Sequence, residues 1–583
     1  MTLPFIELGT ALFFGFIIYR VISEYTSPLS KIPNAGFGAA FSRLAWAFPQ
    51  EYNGTITLSL PKFHERLGPL IRIGPNEVSF YSRDTYETVH KVGSKFKKDP
   101  RVYGEFVQGG HPALFSITDP VEHAKRRRIM SQLFSRSKVP QLERLISHHV
   151  QRFVHKIRNN DSIVDLGVSS RALEADIMSD FSFGTSINAI DYWAGGKQLA
   201  MVEKNDEKAT WMPVLTNFPL LCEFWETIEE CLYSLTGFRT QYSQGLADFQ
   251  NWAQTSWQAA LSAGFQSDIT SINSPNLIQT LCNAGLPAET ALSEAGENLG
   301  PGTDTTSATL AHIIWALAHN PAYQDNLYQD LASVSFATDM TTLENIPRLQ
   351  ACVKEGIRWA GAAAAMLPRT VPPGGIELHG TFIPEGTVLI SSPIWYLHDA
   401  KAYPSPKVFN PYRWLSQDGK TLTEDSLRDR FYIPFSRGAN ICLGAHFSHL
   451  ELYVSISQFV RNFRFEPRNV SQPIADDETW NLVSLPERSE GVLFNQADPH
   501  GSANHRAIEN LAHDEVLTQW RKARAAVRNR ADQIEALENE GQHESEAENE
   551  DQEVDEVGDQ GNGKRQASED GRGEAKKHKT SAT

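Results

Sequence analysis

Apolar residues crowd the first twenty positions of this chain, then recur at regular spacing, and finally thin out. Leu8 to Tyr19 is an uncharged, strongly apolar run, and Thr2 to Ile22 carries only Glu7 and Arg20 as charges. That length is near the lower limit for crossing a bilayer, so residues 1–22 are expected to form an N-terminal transmembrane anchor. A buried N-terminal helix is the alternative. No basic stretch with a small-residue cleavage site precedes the run, which argues against a cleaved signal. Arg20 and Lys31 follow it and place the body on the cytoplasmic side.

Helical periods mark the interior. Leu443 to Tyr453 has apolar residues at helical spacing, so a helix is predicted just after Cys442. Asp119-Pro-Val-Glu122 reads as an N-cap, a proline at the first helical position and a capping-box glutamate. His123 and Arg127 then lie four apart on one helical face. Gly300-Pro-Gly-Thr-Asp304-Thr305-Thr306 opens into an apolar periodic stretch, and such breakers within a helix suggest a kink. The competing reading makes Asp304 to Thr306 an N-cap after a Pro-Gly loop. Beyond Phe494 apolar residues are sparse, and Glu538 to Asp559 is acidic and poor in aromatics. Residues 499–583 are therefore expected to be an acidic, largely disordered tail.

Composition adds bounds. At 583 residues, with 41% hydrophobic and 10% aromatic, the chain can build a sizeable core. A formal charge of −16 argues against a nucleic-acid partner. Five scattered cysteines give no disulfide framework and suit a reducing compartment. Lys564-Arg565 and Lys576-Lys577-His578-Lys579 are spaced like a bipartite nuclear signal, a coincidence common in low-complexity tails.

The chemistry concentrates at Phe435-Ser-Arg-Gly438-Ala-Asn-Ile-Cys442-Leu-Gly444. A lone cysteine is usually a small buried hydrophobe. Here it stands just before a helix, whose N–H groups lower a thiol's pKa and make it a metal ligand. Gly438 permits a tight turn, and Gly444 lets the backbone approach a flat group. This run resembles the haem-thiolate loop of the cytochrome P450 family, in which the cysteine is the proximal iron ligand. An axial thiolate pushes electron density onto the iron.

Other stretches are similar to that family's motifs in the expected order. Glu355-Gly-Ile-Arg358 looks like its Glu-x-x-Arg helix, although such a pair alone is more often a surface i,i+3 salt bridge. Pro411-Tyr-Arg413-Trp looks like the segment whose arginine completes a buried triad, so Glu355, Arg358 and Arg413 are expected to be structural. The Asp304-Thr305 pair resembles the central-helix motif, with Thr305 at the bound oxygen and Asp304 feeding protons. His123 and Arg127 are similar to the haem-propionate site, and Arg369 matches another propionate ligand. Phe435, Gly438 and Gly444 would complete the cofactor loop. Position 440 departs from the pattern: the family usually has a propionate-pairing arginine there, and this chain has Asn440. His123, Arg127 and Arg369 are expected to compensate. Arg126, Arg128 and Arg437 are expected on a basic proximal surface facing the redox partner.

The resemblance covers roughly residues 30 to 497 and implies a mainly α cytochrome P450 fold, a large helical domain with small β-sheets. The expected organisation is an anchor at 1–22, a proline-rich hinge at 23–34, a haem-thiolate catalytic domain at 35–498 and the tail. It implies a monooxygenase carrying heme b that inserts one atom of O2 into an apolar small molecule by hydroxylation or epoxidation. The implied class is fungal secondary metabolism of a terpenoid, polyketide or alkaloid. No Gly-rich dinucleotide fingerprint or flavin domain is visible, so electrons are expected from NADPH through a separate NADPH–cytochrome P450 reductase. The expected location is the endoplasmic reticulum membrane, single-pass, with the catalytic domain facing the cytosol. Small side chains at Gly361 to Leu367 suggest room for a bulky substrate. A haem-thiolate isomerase or dehydratase, or a non-catalytic haem-binding sensor or carrier, are the alternatives.

Overall fold

Helix-breaking and helix-starting residues act where the sequence puts them. In the computed structural model Asp119 caps a helix over Pro120–Met130, its carboxylate accepting from the N–H groups of Val121 and Glu122. The structure describes residues 15, 18, 19 and 21–496 apart from 108, 135–137, 160–162, 198, 200–204, 263–275, 364 and 468–491. Most of the expected anchor and all of the expected tail at 499–583 lie outside the described residues. Among the described residues, no helix is long and apolar enough to cross a membrane.

Eight helices build the frame: α1 (Arg83–His90), α2 (Pro120–Met130), α3 (Val139–Arg158), α4 (Leu166–Phe183), α5 (Pro219–Thr236), α6 (Ala288–Ala318), α7 (Pro347–Ala360) and α8 (Ala445–Asn462). Helix α3 shows why they pack. Leu142, Leu145, Ile146, His149, Val150, Phe153, Val154 and Ile157 recur every three or four residues and are all buried. Each large apolar side chain so buried contributes about 1.5–3 kcal/mol. Helices α4 and α7 both stop at a glycine in the left-handed region, Gly184 (φ 76°) and Gly361 (φ 52°).

Helix α6 is the axis. It packs most extensively on α4, and its second half is buried almost throughout. Close contact depends on glycine in two places. A Cβ on Gly356 of α7 would run into Ile313 of α6, and one on Gly302 of α6 into Met178 of α4.

A five-stranded sheet flanks the helices, in the order Leu70–Gly74, Glu77–Phe80, Val388–Ile390, Arg369–Thr370 and Lys97–Lys98. The pairing between Glu77–Phe80 and Val388–Ile390 is parallel and the others antiparallel. The segment expected as a hinge meets this sheet. Leu29 and Ile32 are buried against Val78 and Phe80, and Arg72 pairs with Glu24.

Candidate active site

Cys442 closes a loop held from both ends. Its own N–H donates to the Phe435 carbonyl at 2.9 Å, and the N–H groups of Gly444 and Ala445 point at its sulfur. Helix α8 begins at Ala445, as the spacing predicted. Gly438 takes φ 71°, and a Cβ there would run into the His90 carbonyl oxygen at the end of α1. Gly444 has an ordinary φ of −80°, and a Cβ on it would sit 4.0 Å from the sulfur. Phe435 packs against His449 of α8, with ring centroids 5.3 Å apart.

The electrostatics of the thiol differ from the sequence expectation. Burial pushes the Cys442 thiol up, and this outweighs the downward pull of the two N–H groups and of Arg127. The helix start alone does not make a thiolate here. A cation bound to the sulfur is needed to complete the ionisation. Cys442 keeps accessible surface, and Gly438, Ala439 and Asn440 of its loop line the adjoining cavity.

Next to the loop lies a cavity of about 410 Å³. Lys91, Lys97, Lys98, Arg127 and Arg128 line it, together with His90, His123 and Asn440, and no carboxylate does. Burial first, then Lys98, Arg127 and Arg369, lower His123 to about 4. Lys98 falls to about 7, again from burial and then from Arg369. Both ring nitrogens of buried His90 lack a hydrogen-bond partner. Of these bases Lys98, His90 and His123 are buried, Arg127 is half-buried, and Lys91, Lys97 and Arg128 are exposed; a cavity lined by one sign of charge suits an anion. A flat cofactor with two carboxylates and a metal for the sulfur fits the residues present. Lys98, Arg127, Arg369, His123 and Asn440 would meet its carboxylates, and Cys442 its metal.

Arg127 also donates to the Ile441 carbonyl at 2.7 Å, tying α2 to the cysteine loop. Arg369 is buried and donates to the Tyr103 hydroxyl at 2.8 Å. Arg126 is a correction. It was expected at the surface, yet it is 7% exposed and faces Glu294 of α6 at 3.5 Å. Arg128 and Arg437 are exposed.

Asp304, Thr305 and Thr306 lie in mid-helix in α6, so the N-cap reading does not hold. The helix runs on through Pro301, which removes one backbone donor without ending it. The Thr305 hydroxyl donates to the Pro301 carbonyl at 2.9 Å. Asp304 turns toward α4 and pairs with Arg171 at 3.3 Å. The Thr306 and Ser448 hydroxyls are 3.1 Å apart, joining α6 to α8.

Glu355, Arg358 and Arg413 meet. Arg358 donates to Glu355 at 2.8 and 2.9 Å, and Arg413 donates to it at 3.1 Å. The Asn410 N–H and the Trp414 indole, each at 2.9 Å, complete the carboxylate's bonds. Arg358 spends its remaining donors on the carbonyls of Leu397, Pro406 and Val408.

The family model for Cytochrome P450 matches residues 43–494. The chain belongs to the cytochrome P450 family. Among its curated relatives, Cytochrome P450 monooxygenase macH of Penicillium terrestre is 27% identical over 81% of this chain and 94% of that protein. Fusicoccadiene C-8 hydroxylase of Alternaria brassicicola is 27% identical over 75% and 84%. Tryptophan 6-hydroxylase fscE of Fusarium equiseti is 24% identical over 76% and 87%. In chain order this cytochrome P450 carries the central helix α6, the Glu355–Arg358–Arg413 cluster and the cysteine loop. Sequence reasoning missed Lys98, Tyr103, His90 and Arg171. A faint signal existed for one: in the two-residue strand Lys97–Lys98, alternation puts one lysine outside and one inside.

Proposed function

We propose that this chain is a haem-thiolate monooxygenase that inserts one atom of O2 into an apolar small molecule, by hydroxylation or epoxidation. The carrying observation is the Cys442 sulfur, held at a helix start by the N–H groups of Gly444 and Ala445, in a loop that lines a cation-rich cavity. When bound there, the haem supplies the redox chemistry that activates O2. Thr305 Oγ holds a proton on the central helix, and the Asp304 carboxylate, steadied by Arg171, relays protons toward it. Buried Glu355, Arg358 and Arg413 keep the loop side rigid and take no part in proton transfer.

A second cavity of about 170 Å³ has room for part of an apolar substrate. Ile56, Phe106, Met212, Met366 and Ile390 line one part of it, and Arg43 and Arg101, both paired with buried Glu77, line another together with Glu51 and Asp99. A terpenoid, polyketide or alkaloid is the proposed class, in keeping with relatives such as the fusicoccadiene and tryptophan hydroxylases. Electrons are proposed to come from NADPH through a separate NADPH–cytochrome P450 reductase meeting exposed Arg128 and Arg437. Attachment to the endoplasmic reticulum membrane is proposed from the apolar run at Leu8–Tyr19. Exposed Leu220, Leu221, Phe224 and Trp225 on α5 support it.

The test is the spectrum of the reduced, CO-bound protein, followed by NADPH consumption with added reductase. Cys442→Ser should abolish the thiolate-type spectrum. If that spectrum survives the substitution, the reading is wrong.

A further inference from the structure

The smaller cavity has two unlike walls. Apolar side chains such as Phe106, Met366 and Ile390 make one. The other is a chain of charges that alternate in sign: Glu51, Arg43, Glu77, Arg101 and Asp99. Every nitrogen of the Arg43 guanidinium is engaged. Its Nε donates to Asn217 at 2.9 Å, its Nη1 to Glu77, and its Nη2 to both Glu51 oxygens at 2.7 Å. Arg101 is held by Asp99, which accepts from its Nε at 3.1 Å and its Nη2 at 2.7 Å.

Two imbalances on this wall point to a ligand. Among the described residues lining the cavity, three carboxylates stand against two guanidiniums, and no lysine or histidine joins them. The wall therefore carries one negative charge in excess. The second imbalance is at Glu77, which is only 3% exposed. Arg101 Nη2 lies 2.7 Å from its Oε1, yet that oxygen accepts no hydrogen bond among the described residues. A buried carboxylate is costly until its charge is paired and its lone pairs are filled.

We propose that this cavity takes a substrate whose apolar body carries a protonated amine, and that Glu77 is the specificity-determining residue that receives the amine. The proposal rests on the reading of the smaller cavity as substrate space. The ammonium donates to Glu77 Oε1 and cancels the excess charge, while the carbon frame lies on the apolar wall. A hydroxyl head fills the lone pair and leaves the charge unpaired. A carboxylate head meets three acids, and only Arg101 Nη1, which has no acceptor among the described residues, favours it. Of the substrate classes proposed above, an alkaloid suits this wall.

The experiment is calorimetric titration of the full-length, haem-loaded, CO-bound protein with 4-phenylbutylamine, 4-phenylbutanol and 4-phenylbutanoate at neutral pH. The three share one carbon frame, and bound CO keeps the amine off the iron. The amine is a cation under these conditions. It should bind about tenfold more tightly than the alcohol, the gap between a charged and a neutral hydrogen bond, and the carboxylate should bind most weakly. Glu77→Gln keeps the shape and removes the charge, so amine and alcohol should then bind equally. If that variant does not fold, Glu51→Gln removes the same excess charge from the half-buried end of the chain and must lessen the amine's advantage. Failure of the amine to bind, equal binding of amine and alcohol by the parent protein, tighter binding of the carboxylate, or an undiminished preference in the folded variant would overturn the proposal. Loss of the thiolate CO spectrum in the parent protein would instead overturn the cofactor reading, because calorimetry reports the cavity directly.

Discussion

Glu174 of α4 and Glu451 of α8 face each other in the core, and among the described residues no cation pairs with either. Both are buried, no donor reaches either Glu174 oxygen, and the two carboxyls can bond only if one keeps a proton. Burial pushes Glu174 up to about 8, and burial together with Glu174 pushes Glu451 well above the ordinary carboxylate range. Thr306 bonds to Glu451, so the pair also touches the central helix.

The sign of the pH effect follows. Folded-state values lie above the unfolded ones, so the pair's contribution is full below about 4.5 and is lost as pH rises through about 8. Glu174→Gln supplies a permanent donor to Glu451 and removes one titrating proton. Its Tm should match the parent's at pH 6 and exceed it at pH 8.5, by the equivalent of about 1–3 kcal/mol. Thermal melts at the two pH values check this, and a lower Tm at both would count against a shared proton.

Removing one partner of the Glu355 network should be far more damaging. Glu355→Ala leaves Arg358 buried without its counter-charge. A loss of about 3–5 kcal/mol is expected, seen as a large drop in Tm or in soluble yield. Wild-type stability in this variant would mean that the network relaxes at little cost.

Thr305→Ala removes a hydroxyl that donates to Pro301 and leaves Cys442 and the cation-lined cavity untouched. The CO spectrum should persist, while NADPH consumption should yield peroxide in place of product. Asp304→Asn should slow turnover and raise the solvent isotope effect, since its partner Arg171 then faces a neutral amide. Unchanged coupling in Thr305→Ala would remove that residue from proton handling.

Arg128 and Arg437 are exposed, so their reversal to Glu should slow reductase-supported turnover by several-fold and spare peroxide-supported turnover. The reductase-supported rate should also fall with salt. Arg126 makes a useful contrast. Reversing it puts a carboxylate against Glu294, so both assays should suffer equally.

Features carried by neighbouring residues were legible in the sequence. Asp119 and Pro120 start α2 because a cap and a fixed φ act within one turn. Cys442 lies at a helix start because the apolar period after it is local. Glu355 and Arg358 pair because three residues apart is adjacent on a helix.

Tertiary structure alone decided the rest, because the deciding partner is remote in the chain. The run Lys125 to Arg128 puts a base on every side of α2, so periodicity cannot say which turns inward; Glu294 selects Arg126. Nothing near Glu174 announces a second carboxyl, since Glu451 arrives only when α4 and α8 pack together. Lys98 reads as a surface lysine until the sheet buries it beside Arg369. The thiol of Cys442 was expected to be lowered by local N–H groups. Desolvation, which depends on everything packed around the sulfur, proved the larger effect.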